Sequence, residues 1–173
     1  MRIQVIITFL ICTLLSCSTS EPKLITVSDI YQIEVPGDMS PMTTGINEEA
    51  SLQYANLFKE KYLMILHEDK YDFMEALEIV NQNKIMQEFT NIMVQHYEES
   101  FNSVANAYDI SFNGLLAKKI EITGKSEGVS LVWHTVLIEG EEYIYQICFW
   151  TLKSREDKHM QQLFNSAKTF NEL

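Results

Sequence analysis

The side chains of this chain that could do chemistry are three cysteines, four histidines and a short acidic run. A zinc site typically uses closely spaced ligands, such as two histidines four residues apart on a helix, and no histidine pair here has that spacing. Glu68, Asp69 and Asp72, next to His67, could offer oxygens to calcium, but calcium takes six or more and the EF-hand spacing is absent. We therefore expect no metal and no cofactor.

The sequence also gives little support to nucleophilic catalysis. Its six glycines are isolated, so it has no glycine-rich phosphate loop. Cys148 lies within an apolar run without a basic residue beside it, which favours a small buried side chain over a reactive thiol. We predict no catalytic residue and expect that the chain is not an enzyme.

Cys17 has the clearest chemical role among the cysteines. Arg2 precedes an apolar run at residues 5–15, which at eleven residues is shorter than the roughly 20 that span a bilayer but fits the core of a secretory signal peptide. The run ends in Leu-Leu-Ser-Cys at residues 14–17, which resembles the lipobox of bacterial lipoproteins. In that motif the chain is cut before the cysteine, and the cysteine sulfur carries a diacylglycerol.

The lipobox resemblance implies a domain organisation. Residues 1–16 would be a signal peptide removed between Ser16 and Cys17, residues 17–23 a lipidated tether, and residues 24–173 one folded domain. The alternative is an ordinary signal peptide cut near Ser18 or Ser20, which would discard Cys17. Ser18 stands where an aspartate would, in the enteric pattern, favour the inner membrane, so we expect attachment to the outer membrane, facing the periplasm.

The charge balance excludes some classes of partner. The chain has 13 Lys and Arg against 24 Asp and Glu, a formal net charge of −11. An acidic domain of this kind lacks the basic surface that nucleic acid requires, and it should avoid anionic lipid surfaces except through its anchor. The expected partners are the membrane, through Cys17, and an envelope protein.

The elements that must position any site are organised around residues 110–152. This stretch predicts three consecutive antiparallel strands, separated by polar turns at residues 124–128 and 139–142. In the second and third runs both sets of alternating side chains are apolar, which indicates a central pair of strands covered on both faces.

The flanking segments predict the remaining elements. A strand at residues 31–35 and a hairpin at 50–67 precede a helical pattern that begins at Asp72 as N-cap and reaches about residue 102, as one long helix or two joined near residues 81–83. A second amphipathic pattern at residues 156–169 would cover the other face. The predicted fold is α+β, an α/β/α sandwich with a largely antiparallel central sheet.

This layout resembles the Mog1/PsbP-like superfamily. The residues that carry the resemblance are YQIEVP at 31–36, NGLLA at 113–117, YIYQICFWT at 143–151 and SAKTF at 166–170. The resemblance implies a binding or assembly module instead of an enzyme. Superfamily members include photosystem II extrinsic proteins, a nuclear-transport GTPase-binding factor and envelope lipoproteins, but no motif for the photosystem or GTPase roles can be placed on this chain.

Aromatic residues of the predicted sheet are the remaining candidates for ligand binding. Trp133, Tyr143, Tyr145 and Trp150 could line an apolar groove if one sheet face is incompletely covered, although aromatic side chains also fill protein cores. The leading hypothesis is a non-enzymatic, lipid-anchored envelope protein that binds another protein in the periplasm. The alternative is a carrier of a small apolar ligand or hydrophobic peptide on this aromatic face.

Overall fold

A computed structural model describes residues 20–173 of the chain, so the predicted cleavage and lipidation sites at Ser16 and Cys17 lie outside the described residues. Within this range no helix is long and apolar enough to cross a membrane. The strands are β1 (Lys23–Val27), β2 (Tyr31–Val35), β3 (Ser40–Pro41), β4 (Leu52–Asn56), β5 (Lys61–Asp69), β6 (Asn106–Phe112), β7 (Leu115–Ser126), β8 (Val129–Glu139), β9 (Tyr143–Leu152) and β10 (Asn171–Glu172). The helices are α1 (Lys70–Ala76), α2 (Ile85–Phe101) and α3 (Glu156–Ala167).

Seven of the strands form one antiparallel sheet in the order β3-β4-β5-β9-β8-β7-β6. The central strand β9 pairs with β5 on one side and β8 on the other, so Ile147 lies between Ile65 and Val136. All three side chains are fully buried. The prediction of an α+β fold with a largely antiparallel central sheet is confirmed.

The predicted three-strand stretch is in fact four strands. Two hairpin turns, Asn113–Gly114 and Glu127–Gly128, join β6 to β7 and β7 to β8, and all four residues have positive φ, as in type I′ turns. Residues 106–109, which lie between the predicted helix and the predicted three-strand stretch, form the first half of β6. This half-strand lies at the sheet edge, where its exposed residues show no alternation of apolar and polar side chains.

The helical region also begins earlier than predicted. Asp69, and not Asp72, caps α1, because its side chain accepts hydrogen bonds from the backbone N–H groups of Tyr71 (2.8 Å) and Asp72 (3.2 Å). The helix ends at Ala76, and a 3₁₀ turn at Gln82–Lys84 leads into α2, so the alternative of two helices is the one observed. Asn102 ends α2 in the left-handed conformation common at helix C-termini.

One face of the central sheet, here called the closed face, is covered by α3 and by a second sheet. The second sheet has three strands in the order β1-β2-β10, a layer that the C-terminal helical pattern alone did not predict. The helix α3 lies mainly over the central strand β9. Tyr31, Ile33 and Val35 of β2 point into the same core and have no exposed surface.

The opposite face, here called the open face, is covered only in part. The helix α2 lies mainly over β7 and β8, with Phe89 and Tyr97 packed among Ile120, Ile122 and Leu137. This position leaves the side chains of β5, and part of β9, beside the helix and not beneath it. The open face therefore has a groove along α2.

Candidate functional site

The open face carries an apolar depression, the α2 groove, which has a volume of about 510 Å³ and is open to solvent. One wall is α2, and the floor comes from β5, β8 and β9. The lining residues are Asn47, Met64, Leu66, Ile92, Met93, His96, Tyr97, Ser100, Phe101, Trp133 and Gln146. None of these side chains is a carboxylate, lysine or arginine, so the groove suits an apolar ligand with a few polar contacts.

A stack of three aromatic rings on the open face ends at the groove, where Trp133 is its one member that lines it. Trp133 and Trp150 are cross-strand partners whose ring centroids lie 4.1 Å apart at 15°. Tyr62, the partner of Trp150 on the next strand, stacks on its other side at 5.0 Å and 5°. Trp150 is buried within the stack, whereas Trp133 is half-buried and lines the groove. Such a stack offers apolar surface at little cost in side-chain entropy.

A buried polar network lies beneath this floor. The Tyr97 hydroxyl lies 2.7 Å from Thr135 Oγ1, which also accepts a hydrogen bond from Trp133 Nε1 at 3.0 Å. Gln146 Nε2 donates to the Tyr97 hydroxyl at 3.1 Å and to Cys148 Sγ at 3.2 Å. Because both N–H groups of this amide are engaged, its Oε1 is the atom of Gln146 that can accept a hydrogen bond from a ligand.

The network holds neutral groups. Burial raises the pKa of the Cys148 thiol, and it raises the pKa of the Tyr97 hydroxyl well above its ordinary value. The Cys148 side chain has no exposed surface, as expected from its place in the strand. A thiol that is buried and protonated is a poor nucleophile, so the network positions side chains and does not attack substrates.

The four aromatic residues predicted to bind a ligand do not come together. Trp133 and Trp150 lie on the open face, while Tyr143 and Tyr145 lie on the closed face, because alternate residues of a strand point to opposite sides. Tyr145 is part of the core, where its hydroxyl donates to Glu172 Oε1 at 2.8 Å. A single groove lined by all four residues is therefore not present, and ligand binding by the two tryptophans remains a prediction.

Tyr143 borders a second depression, the end cleft, of about 590 Å³ at the end of the sheet. Its lining is polar and acidic, with Asp29, Glu141, Glu142 and Glu172 among the contributors. Glu172 already accepts hydrogen bonds from Tyr145 and from the backbone N–H of Glu141 at 2.7 Å. Within residues 20–173 no three His, Cys, Asp or Glu side chains are grouped so that they could hold a metal ion.

The acidic residues at the end of β5 and the start of α1 do not form a common site either. Asp69 is occupied as the helix cap, and His67 packs edge-on against Tyr31 and Tyr143 at 5.9 and 5.3 Å. Burial lowers the pKa of His67. Asp69 therefore serves as a helix cap and His67 packs among aromatic rings, so these two side chains do not converge on a ligand.

Gly124–Lys–Ser–Glu–Gly128 matches the Gly-x-Ser-x-Gly pattern of a nucleophile elbow. An elbow of that type joins a strand to a helix and aims its serine at a histidine. Here the five residues end β7 and form the hairpin turn to β8, and Ser126 is exposed. The match is therefore a turn sequence.

The residues of the α2 groove other than Trp133 were not identified from the sequence. One signal was present, since Gln146 is the only polar residue in the apolar run YIYQICFW of β9. A lone amide in a central strand indicates either a buried hydrogen-bond network or a surface left uncovered. The structure shows both at this position.

Solved structures with the same fold support the architecture. The chain is similar to the cyanobacterial PsbP (CyanoP) of Synechocystis, with a TM-score of 0.62, 11% identity, and coverage of 91% of this chain and 96% of that one. A Bacteroides thetaiotaomicron protein gives a TM-score of 0.55 at 10% identity over 90% of this chain, which spans about half (49%) of that protein. A Pseudomonas aeruginosa protein of unknown function, described as a putative regulator, gives 0.51 at 12% identity, with 87% and 96% covered.

No family model and no curated protein sequence matches the chain. Identities this low are informative about the fold and not about what the chain binds. The chain has a PsbP-like fold, as the resemblance of its sequence motifs implied.

Proposed function

We propose that this chain is a non-enzymatic, lipid-anchored protein of the bacterial cell envelope that binds an apolar segment of a partner protein in the α2 groove. The observation that carries this proposal is the partial cover of the open face. The groove is apolar and open to solvent, which suits a peptide segment better than an enclosed small molecule.

The chemistry of the groove supports a peptide as the ligand. Met64 and Met93 offer flexible, polarisable surfaces that adapt to different side chains. The Trp133 ring offers a flat apolar contact, and Gln146 Oε1 can accept a backbone N–H from the peptide. Ile92 on the groove wall is 43% exposed, so part of the apolar lining has no cover from residues 20–173.

A binding role is favoured over a catalytic one by the groups nearest the groove. The hydroxyls of Tyr97 and Thr135 are paired with each other, and the pKa of Cys148 is raised by burial. Tyr97, Thr135 and Cys148 stabilise the floor and present neither a nucleophile nor a general base, and no carboxylate lines the groove to orient His96.

The envelope location rests on the lipobox at residues 14–17. Cleavage between Ser16 and Cys17, with acylation of Cys17, would place the domain on the outer membrane, facing the periplasm. Metabolic labelling with a palmitate analogue should mark the wild-type protein and leave Cys17→Ala unmarked. Equal labelling of both proteins would contradict the anchor.

A small apolar ligand is the second candidate for the groove. The volume of about 510 Å³ lies within the roughly 300–1,000 Å³ typical of small-molecule sites, and the aromatic lining residues Tyr97, Phe101 and Trp133 offer apolar contacts to such a ligand. This candidate predicts a bound compound of low molecular mass in the purified protein, detectable by native mass spectrometry.

Site-specific photo-crosslinking in cells tests the leading proposal. A photoreactive amino acid at His96, on the groove rim, should give one defined protein adduct whose crosslinked peptide is an apolar segment. The matched control is Gln95, which is exposed on the same helix but does not line the groove. Met93→Glu on the groove wall should abolish the adduct, while Leu116→Glu, at a 73% exposed site outside the groove, should leave it unchanged.

Equal adducts from His96 and Gln95, or an adduct that survives Met93→Glu, would contradict binding in the groove. A low-mass compound in the wild-type protein that is lost from Met93→Glu, without any protein adduct, would establish the carrier function instead.

A further inference from the structure

The turn between β4 and β5 exposes two large apolar side chains next to each other. Leu57 is 66% exposed and Phe58 is 90% exposed, at the tip of the hairpin. Single exposed hydrophobic residues are common on protein surfaces, whereas adjacent ones at a protruding tip indicate a contact with another surface. The turn is ordered, since Arg155 Nη1 donates a hydrogen bond to the Phe58 carbonyl oxygen at 2.9 Å.

Basic side chains surround this tip although the chain as a whole is acidic. Lys59 follows Phe58 directly, and Lys153, Arg155 and Lys158 lie where the chain enters α3. The net charge of −11 predicts repulsion from anionic lipids, but that average does not describe this corner.

Two carboxylates near the tip, Asp38 and Glu156, are engaged by lysines, whereas Glu60 accepts a hydrogen bond from the Tyr62 hydroxyl at 2.9 Å. Asp38 lies 2.7 Å from the Nζ atoms of both Lys59 and Lys61, and Glu156 lies 2.5 Å from Lys153 Nζ. Arg155, in contrast, contacts a carbonyl oxygen and forms no ion pair within residues 20–173. The tip therefore combines two exposed apolar side chains with the guanidinium of Arg155, although the acidic Glu60 also lies beside them.

The start of the described chain lies at the same corner. A side chain on Gly37 would come within 2.8 Å of the carbonyl carbon of Ser20, so Ser20 packs against Gly37. The next residue, Asp38, is the one that pairs with Lys59. Cys17 precedes Ser20 by three residues, a distance of at most about 10 Å when fully extended. An acyl chain on Cys17 would thus hold this corner against the bilayer.

We propose that the β4–β5 tip is a second membrane contact, in which Leu57 and Phe58 enter the bilayer interface and Lys59 and Arg155 contact anionic headgroups. This inference rests on the lipid anchor at Cys17 in the proposed function. Aromatic and aliphatic side chains flanked by basic residues are the composition that binds such an interface.

This second contact would set the orientation of the domain relative to the bilayer. The strand β5 begins next to the tip and ends at Asp69, roughly 26 Å away for nine residues at about 3.3 Å each. Glu142, whose carbonyl oxygen accepts from Lys70 N–H, marks this far end, together with the acidic end cleft. The acidic end would therefore point away from the bilayer, and the α2 groove would remain accessible from the side.

Fluorescence of the lipidated protein in vesicles tests the proposal. An environment-sensitive fluorophore is attached at Phe58→Cys or, as matched control, at Val80→Cys, a 99% exposed position in the loop that precedes α2 and lies beside its N-terminal half. Cys148 is fully buried and stays unlabelled. In vesicles of phosphatidylcholine and phosphatidylglycerol, the label at position 58 should gain several-fold in emission, shift to the blue and be quenched by nitroxide lipids, while the label at position 80 should not change.

Flotation of the same samples separates this inference from the anchor. Protein that floats with the vesicles, but whose label at position 58 behaves like that at position 80, would overturn the membrane contact and leave the anchor intact. Protein that does not float, and matches Cys17→Ala, would overturn both. Arg155→Glu with Lys158→Glu should reduce the emission gain at position 58 in phosphatidylglycerol vesicles, and an unchanged gain would overturn the headgroup contact.

Discussion

The two faces of the central sheet differ in where their helix lies, although both are built from apolar side chains. On the closed face, α3 runs over the central strand β9, and the sheet β1-β2-β10 covers what the helix leaves. On the open face, α2 runs over β7 and β8, to one side of the centre. A helix about 10 Å wide cannot cover seven strands, so its position decides which strands stay accessible.

The two faces also differ in how completely their polar side chains are paired. On the closed face, Lys61 is 1% exposed, pairs with Asp38 and donates from Nζ to Gln162 Oε1 at 2.8 Å, so this hydrogen bond ties β5 to α3. On the open face, Tyr97 and Gln146 lie beneath a groove and leave the Gln146 amide oxygen available. The polar side chain of the closed face is thus fully paired, whereas the open face leaves a hydrogen-bond acceptor beside an apolar groove.

The largest expected difference between the faces is the loss in free energy of unfolding when one phenylalanine ring is removed from each. Phe149→Ala on the closed face removes a fully buried ring and should lower the free energy of unfolding by about 3–5 kcal/mol. Phe101→Ala removes a half-buried ring from the groove wall and should cost about 1 kcal/mol, because part of that ring is already in water. Urea unfolding measures both, and equal losses would contradict the difference between the faces.

The ion pair of the closed face gives the next largest expected effect. Asp38→Asn would leave the buried Lys61 ammonium without its carboxylate and should cost about 3 kcal/mol. Burial alone would raise the pKa of Asp38, but the hydrogen bonds from Lys59 and Lys61 outweigh it and hold this pKa below its usual value.

A matched surface pair provides the control for Asp38. Asp109 lies 2.6 Å from Lys118 Nζ but is 85% exposed, so Asp109→Asn should cost less than about 1 kcal/mol. The double variant Asp38→Asn with Lys61→Met should recover most of the loss, since it leaves no unpaired buried charge. A loss from Asp38→Asn no larger than that from Asp109→Asn would show that the pair does not stabilise the closed face.

The sequence predicted those elements whose side chains alternate in a buried setting. The strands β8 and β9 were recognisable because Val132 and Val136 alternate with Trp133 and Leu137, and both sets are apolar. The first half of β6 was not recognisable, since an exposed edge strand needs no alternation. The small sheet was missed because β10 has two residues, and only tertiary contacts place it beside β2.

The candidate site shows the same limit. The period of two along β9 already places Tyr143 and Tyr145 opposite Trp150, so one groove containing all three was not consistent with the predicted strand. What the sequence did not contain is the lateral position of α2, which depends on packing against β7 and β8. That position, and not residue type, turns Met64, Met93 and Gln146 into groove residues.

The smallest expected difference between the two faces is the stability that each loses in acid. On the closed face this loss depends on His134. Its ring packs edge-on against Phe149 at 5.5 Å on the closed face, and burial, together with the nearby Lys119, lowers its pKa to about 4. In the unfolded chain this pKa returns to about 6.5, so the unfolded state takes up the proton first as the pH falls. Stability supplied by the neutral ring is therefore complete above about pH 6.5 and declines towards pH 4, by about 1 kcal/mol per pH unit.

In the buried network of the open face, Tyr97 and Cys148 have raised pKa values and remain neutral throughout this range. Hydrogen exchange between pH 6.5 and 4.5, corrected for the intrinsic rates, should therefore show loss of protection in β8 and β9 that His134→Gln reduces. The same substitution should leave the acid response of α2 unchanged relative to the global loss of stability. An identical pH profile for wild type and His134→Gln would show that the buried histidine is not the group through which acid acts on the closed face.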